Sequence, residues 1–233
     1  MKKILPNLCT SLNLVFGMCS LLFTFKGELV MASYCIFFAL IADGLDGRIA
    51  RFFGVSSELG KEMDSLCDLG SFGIAPAILA YEFALSGFGL LGQAVAILFA
   101  LCGMGRLARF NVNTSVVHGY FMGLAIPAGA CVVASTVLLF GAVDLPVAEY
   151  GYAYPALIAA VAYLMISKVH YPDFKGAGEK IYLIAKIAAG LIFAVTVFWG
   201  RDAIFYAILA GVFCAYAIFG IVNSLCALFA KED

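Results

Sequence analysis

Residues 29–53 read LVMASYCIFFALIADGLDGRIARFF, and residues 58–85 read ELGKEMDSLCDLGSFGIAPAILAYEFAL. Each is an apolar run of the length a membrane-spanning helix needs, about 20 residues. Between them lies Gly54, suited to a left-handed helix stop, followed by Ser56 and Ser57, either of which suits the next N-cap. The two runs therefore predict an antiparallel pair of membrane helices. Their facing ends carry Asp43, Asp46, Asp64 and Asp68. Ionisable groups within a span are costly and usually face a bundle interior or a wet cavity, so they are functional candidates by default. The plain alternative is a solvated loop between two shorter helices.

Spacing favours the first reading. Asp43 and Asp46 are i,i+3 and Asp64 and Asp68 are i,i+4, so each pair shares one helix face. Counted from the turn, Asp46 is level with Asp64 and Asp43 with Asp68, roughly 10–16 Å along the helices. Four carboxylates meeting at matched depth repel one another unless protons or cations intervene. Their oxygens are hard ligands suited to Mg²⁺, Mn²⁺ or Ca²⁺. Two such ions can clamp a phosphate and stabilise both attacking and leaving oxygens. The small residues Gly44, Gly47, Ala50 and Gly60 leave room for a phosphate group, or simply let helices pack closely.

The rest of the chain fits a membrane class. Of 233 residues, 64% are hydrophobic and 12% charged, far from the roughly 25% charged residues of soluble domains. Apolar spans near 8–25, 29–53, 58–85, 88–110, 121–141, 147–168, 180–199 and 203–229 predict an all-α polytopic transmembrane bundle of about eight helices. The Met1-Lys2-Lys3 start and the run after it read as a retained first helix, since further spans follow and no clear cleavage pattern appears. With the N-terminus in the cytoplasm, Lys2, Lys3, Arg48, Arg51, Lys61, Arg106, Arg109, Lys168, Lys175, Lys180, Lys186 and Lys231 all fall on that side, and only Lys26 and Arg201 outside. That bias predicts both termini, and the aspartate cluster, at the cytoplasmic face of the cell membrane. A net charge of −1 offers no footprint for nucleic acid. The eight cysteines lack metal or disulfide spacing and read as packing residues, and His118 and His170 lie in loops with no assigned role.

The residues Asp43-Gly44-Leu45-Asp46-Gly47-Arg48-Ile49-Ala50-Arg51, then Gly60, Asp64 and Asp68, match at every fixed position and gap the signature of the CDP-alcohol phosphotransferases, and the chain resembles that family. The resemblance implies a six-helix core with its site near the cytoplasmic surface, commonly in a homodimer, and metal-dependent displacement of CMP from a CDP-linked donor. It implies that Asp43, Asp46 and Asp64 are metal ligands for two divalent cations, Mg²⁺ or Mn²⁺, and that Asp68 is a ligand, the catalytic base, or both. Gly47 and Arg51, with Gly60, would contact the nucleotide or its diphosphate. On this basis residues 1–233 form one integral membrane domain, a catalytic core over about 1–170 with additional helices over about 180–229.

Within the family, the runs Asp64 to Ala77, Arg106 to Asn111, Phe121 to Pro127 and Leu5 to Asn13 resemble the bacterial membrane-type phosphatidylserine synthases. That implies CDP-diacylglycerol as donor, L-serine as acceptor, and entry of the lipid tails sideways from the surrounding membrane lipids. Sister enzymes accepting glycerol phosphate, an inositol phosphate or choline are the nearest alternative, and a cation transporter is a remote one. Arg106 and Arg109, i,i+3 at an apolar helix end, suit binding of the acceptor carboxylate or a phosphate, or anchoring to headgroups. Asn111 suits the acceptor or a helix cap. Thr10 and Asn13 on the first helix reach either the nucleotide or another helix.

Overall fold

The computed structural model describes residues 4–54, 57–113, 120–144, 147, 151–172 and 182–229. Lys2, Lys3, Ser56, His118, Lys175, Lys180 and Lys231, named above, lie outside these residues.

Helix α1 (Ile4–Phe25) is followed by α2 (Leu29–Phe53) and α3 (Glu58–Asp68). Gly54 closes α2 in the left-handed region (φ 60°, ψ 31°), its N–H donating to the carbonyls of Ala50 and Arg51. Ser57 is the cap that α3 uses, its Oγ accepting from the Gly60 N–H at 3.0 Å. Beyond Asp68 the helix does not stop. It widens through a π segment (Leu69–Ile74) and continues as α4 (Ala75–Phe83), one rod of 26 residues. Pro76 has no N–H for a normal helical bond, and the widened turn accommodates it: the Ala75 N–H reaches back five residues to the Gly70 carbonyl.

A 3₁₀ turn (Leu85–Phe88) leads into α5 (Gly89–Asn113), then β1 (Tyr120–Met122), α6 (Ile126–Ala142), α7 (Ala153–Ile166), β2 (His170–Pro172), α8 (Leu183–Trp199) and α9 (Ile204–Phe229). With α3 and α4 as one rod, the described residues form the expected all-α membrane bundle of eight rods. Those of α1, α2, α3–α4, α5 and α9 are long and apolar enough to cross a membrane, whereas α6, α7 and α8 are shorter.

Two expected spans are trimmed. Within 147–168 the described residues form an α-helix over Ala153–Ile166, and the chain at 121–141 begins as a strand because β1 and β2 pair antiparallel through Tyr120↔Pro172, Phe121↔Tyr171 and Met122↔His170. Gly123 forces this break. Its φ is +79°, and a Cβ there would lie 2.3 Å from the Met165 carbonyl oxygen.

The core centres on α6, buried continuously from Gly129 to Leu139. Phe72, Leu79, Phe99, Ile158 and Met165 join it in one core cluster at 0% exposure. Helix α8 lies at the periphery, with Leu183, Ile184, Leu191 and Phe198 directed outward, as a lipid-facing helix requires. The α8–α9 hairpin is tied back to α2 by a 2.7 Å hydrogen bond between the hydroxyls of Tyr34 and Tyr206. For the site, one packing relation matters most. Helix α1 runs along α2, and α3 rests on α1 more than on α2. The carboxylate-bearing helices are thus two walls of a groove whose back is α1, rather than a directly packed pair.

Candidate active site

Oxygens of Asp43, Asp64 and Asp68 lie within 4.8 Å of one another. Asp43 is within hydrogen-bonding reach of Asp68, the level match expected from counting residues outward from Gly54. Asp46, one turn along α2, stands slightly apart. Its Oδ2 accepts a 2.7 Å hydrogen bond from Thr10 Oγ1, while it remains close enough to Asp43 and Asp64 for direct charge repulsion.

The cluster is sheltered but not sealed. Asp46 and Asp68 are buried, with exposures of 7% and 8%, whereas Asp43 and Asp64 are partly open. Asp64 Oδ1 is buried with no hydrogen-bond partner. An orphaned carboxylate oxygen among three other carboxylates is costly on its own, and it is the donor type that a hard cation takes. The residues present therefore fit a divalent metal.

Helix α1 supplies the back wall. Thr10 bonds Asp46 on one wall, and Asn13 Nδ2 donates to Asp68 Oδ1 on the other at 2.9 Å. Both α1 residues are buried, Asn13 completely. Of the two roles open to them in the sequence, the structure shows the interhelical one. They are directed to the aspartates, not displayed at the groove's surface.

The glycines frame the opening. A Cβ on Gly44 would meet nothing within 4 Å, and one on Gly47 would face the Arg51 guanidinium at 3.6 Å. Neither position is packed against another helix, and the exposed Arg51 guanidinium lies beside Gly47. At Gly60 a Cβ would stand 3.0 Å from Ser57 Oγ and 3.3 Å from Asn7 Oδ1 of α1. In the structure its smallness serves the α1–α3 approach.

The two arginines part company. Arg106 is buried against the cluster, close enough to Asp68 and Asp43 to interact by charge, with its guanidinium over the Phe110 ring. Arg109 turns away. Its guanidinium donates to the carbonyls of Ile166 (2.7 Å), Met122 (2.9 Å) and Met165 (3.1 Å). Met165 and Ile166 end α7, where carbonyls lack intrahelical partners, so Arg109 caps another helix from the side. Asn111 Nδ2 donates to Ser65 Oγ at 2.8 Å, tying α5 to α3 beside Asp64.

Some residues near the site gave no signal alone. Gly17 and Ser71 hold α1 against the π segment, and the only hint was that Gly17 follows Asn13 by one turn on the same face. Tyr216 of α9 lies in the neighbourhood of Arg106, a proximity that the largely apolar C-terminal stretch does not announce.

Residues 3–167 match the profile of the CDP-alcohol phosphatidyltransferase family. The chain belongs to that family. It is 36% identical over 208 residues to a CDP-diacylglycerol–serine O-phosphatidyltransferase of Helicobacter pylori, covering 86% of this chain and 88% of that protein. It is 33% identical over 172 residues to the enzyme of that name from Bacillus subtilis, covering 73% and 91%. An archaetidylserine synthase of Methanothermobacter thermautotrophicus is 39% identical over 176 residues, covering 75% and 72%. The family match contains the groove, all four aspartates and the α7 end that Arg109 caps; α8 and α9 lie beyond it.

Proposed function

We propose that this protein transfers the phosphatidyl group of CDP-diacylglycerol to L-serine, giving phosphatidylserine and CMP. The observation that carries the reading is the three-carboxylate cluster with the unpartnered Asp64 Oδ1, on the family's own spacing. The names of relatives that match over most of both chains support serine as the acceptor.

The groove suggests how each residue contributes. Asp43, Asp46, Asp64 and Asp68 would hold two divalent cations, Mg²⁺ or Mn²⁺, which when bound would supply the charge neutralisation that a diphosphate needs among carboxylates. Gly44 and Gly47 keep α2 free of side chains where the diphosphate lies, and Arg51 pairs with it from the rim. Gly60 keeps α3 close to α1 at the same end. The serine hydroxyl attacks the phosphorus bearing diacylglycerol, CMP leaves with the bond electrons, and the hydroxyl proton passes to Asp68. Arg106 receives the serine carboxylate and offsets the negative charge around Asp68. Asn111 orders α3 through Ser65. Acyl chains remain in the bilayer, since drawing them into water costs about 0.8 kcal/mol per CH₂.

This assignment extends to the setting. Residues 1–233 act as one integral membrane domain, with the groove facing the cytoplasm of the cell membrane and the protein working as a homodimer. An acceptor series tests the function. Purified protein with CDP-diacylglycerol and Mn²⁺ should release CMP far faster with L-serine than with glycerol 3-phosphate, inositol phosphate or choline. Equal or faster release with any of those would transfer the chain to a sister activity.

A further inference from the structure

We infer that Asn13 is a positioning residue for the transfer, holding the Asp68 carboxylate in one orientation from behind the groove. The inference rests on the reading that Asp68 belongs to the reacting centre.

Asn13 lies in mid-α1 at 0% exposure, so it acts through a neighbour rather than on a substrate in the groove. Its Nδ2 donates to Asp68 Oδ1 at 2.9 Å. An ionised carboxylate only accepts hydrogen bonds, so this contact fixes which way the amide faces. The amide's own oxygen is left buried without a partner. A buried acceptor without a donor lowers stability, and an apolar side chain of the same shape would fill the space without that cost. The arrangement is explained by the one bond to Asp68.

The backbone of Asn13 is held as firmly as its side chain. Ser71 Oγ, three residues beyond Asp68, donates to the Asn13 carbonyl at 2.9 Å. One turn along, a Cβ on Gly17 would lie 2.4 Å from that same Ser71 oxygen, so α1 and the π segment are in closest contact here. Asn13 is thus anchored to the segment that carries Asp68. A carboxylate otherwise turns easily about its terminal bond, and the amide stops that rotation.

The test uses Asn13→Leu, which keeps the branched shape but not the hydrogen bond, and the smaller Asn13→Ala, in purified full-length protein with CDP-diacylglycerol, serine and Mn²⁺. Loss of one hydrogen bond to a charged group should lower kcat on the order of 10- to 100-fold. The KM for CDP-diacylglycerol and its calorimetric affinity should stay within about twofold. In an Asp68→Asn background, followed over long incubations, the Asn13 change should add no further loss. The inference is overturned by an equal further loss in that background, by a raised KM with kcat unchanged, or by failure of both variants to assemble, which makes the amide structural. Full turnover by Asp68→Asn alone removes the reacting role of Asp68 itself, a failure distinguishable from the others.

Discussion

Replacing Gly17 by alanine puts the geometry of the groove to a quantitative test. An added Cβ would lie 2.4 Å from Ser71 Oγ, 2.9 Å from Ser71 Cβ and 2.7 Å from Ser71 Cα. The hydroxyl can rotate aside, but Cα belongs to the backbone of the π segment. Carbon atoms pack at about 3.5–4.0 Å, so α1 must withdraw from that segment by about 1 Å. Asn13 Nδ2 and Asp68 Oδ1, one turn away, are 2.9 Å apart. A withdrawal of that size takes them to about 3.9 Å, beyond hydrogen-bonding distance. Overpacking of this kind costs roughly 1–3 kcal/mol of stability, and a misplacement of about 1 Å in a reacting group costs on the order of 10²-fold in rate. The assay is serine-dependent CMP release by protein that elutes as one species in detergent, beside a thermal unfolding scan. Gly190→Ala serves as control, since a Cβ there meets nothing within 4 Å. Wild-type turnover by Gly17→Ala would refute the argument that α1 sets the position of Asp68.

Other outcomes follow from the same structure. Asp68→Asn keeps the shape but removes charge and basicity; it should retain CDP-diacylglycerol binding with metal while losing about 10²–10⁴-fold in single-turnover rate, and loss of binding together with rate would make Asp68 primarily a ligand. Arg109→Ala should destabilise the bundle by roughly 2–3 kcal/mol, because three carbonyls lose a charged donor; an unchanged unfolding temperature with impaired serine affinity would place the guanidinium at the acceptor instead. In a cysteine-free background, Ser57→Cys should be labelled only from the cytoplasm and Asp144→Cys only from outside, and external labelling at position 57 in intact cells would reverse the orientation.

The sequence carried the site's plan well because helical spacing is local. Asp43, Asp46, Asp64 and Asp68 share faces by their intervals alone, and Gly54 and Ser57 behave as their chemistry requires. What it did not carry are relations between distant segments. Thr10 and Asn13 were visible as polar residues on an apolar helix, yet nothing local says that α1 stands behind α2 and α3 and bonds to each. Pro76 was visible too, but the π widening beside Asp68 depends on how the Gly70 carbonyl is satisfied. Arg109 had the appearance of an anion binder because its partners, the carbonyls closing α7, lie more than fifty positions on. The β1–β2 ladder was not legible because β1 opens a stretch that reads as a span and β2 lies in one that reads as a loop, with Gly123 its one local sign.

Metal-dependent formation of the product by the carboxylate cluster is the claim on which the rest depends. Protein stripped with chelator should be supplied with CDP-diacylglycerol and labelled L-serine, and Mn²⁺ then titrated back, with metal bound and phosphatidylserine formed read on the same samples. The account predicts no product before addition, product rising in step with bound metal, and loss of both in Asp64→Asn protein that still assembles. Phosphatidylserine formed at the full rate in metal-free buffer, or by Asp64→Asn, would contradict it.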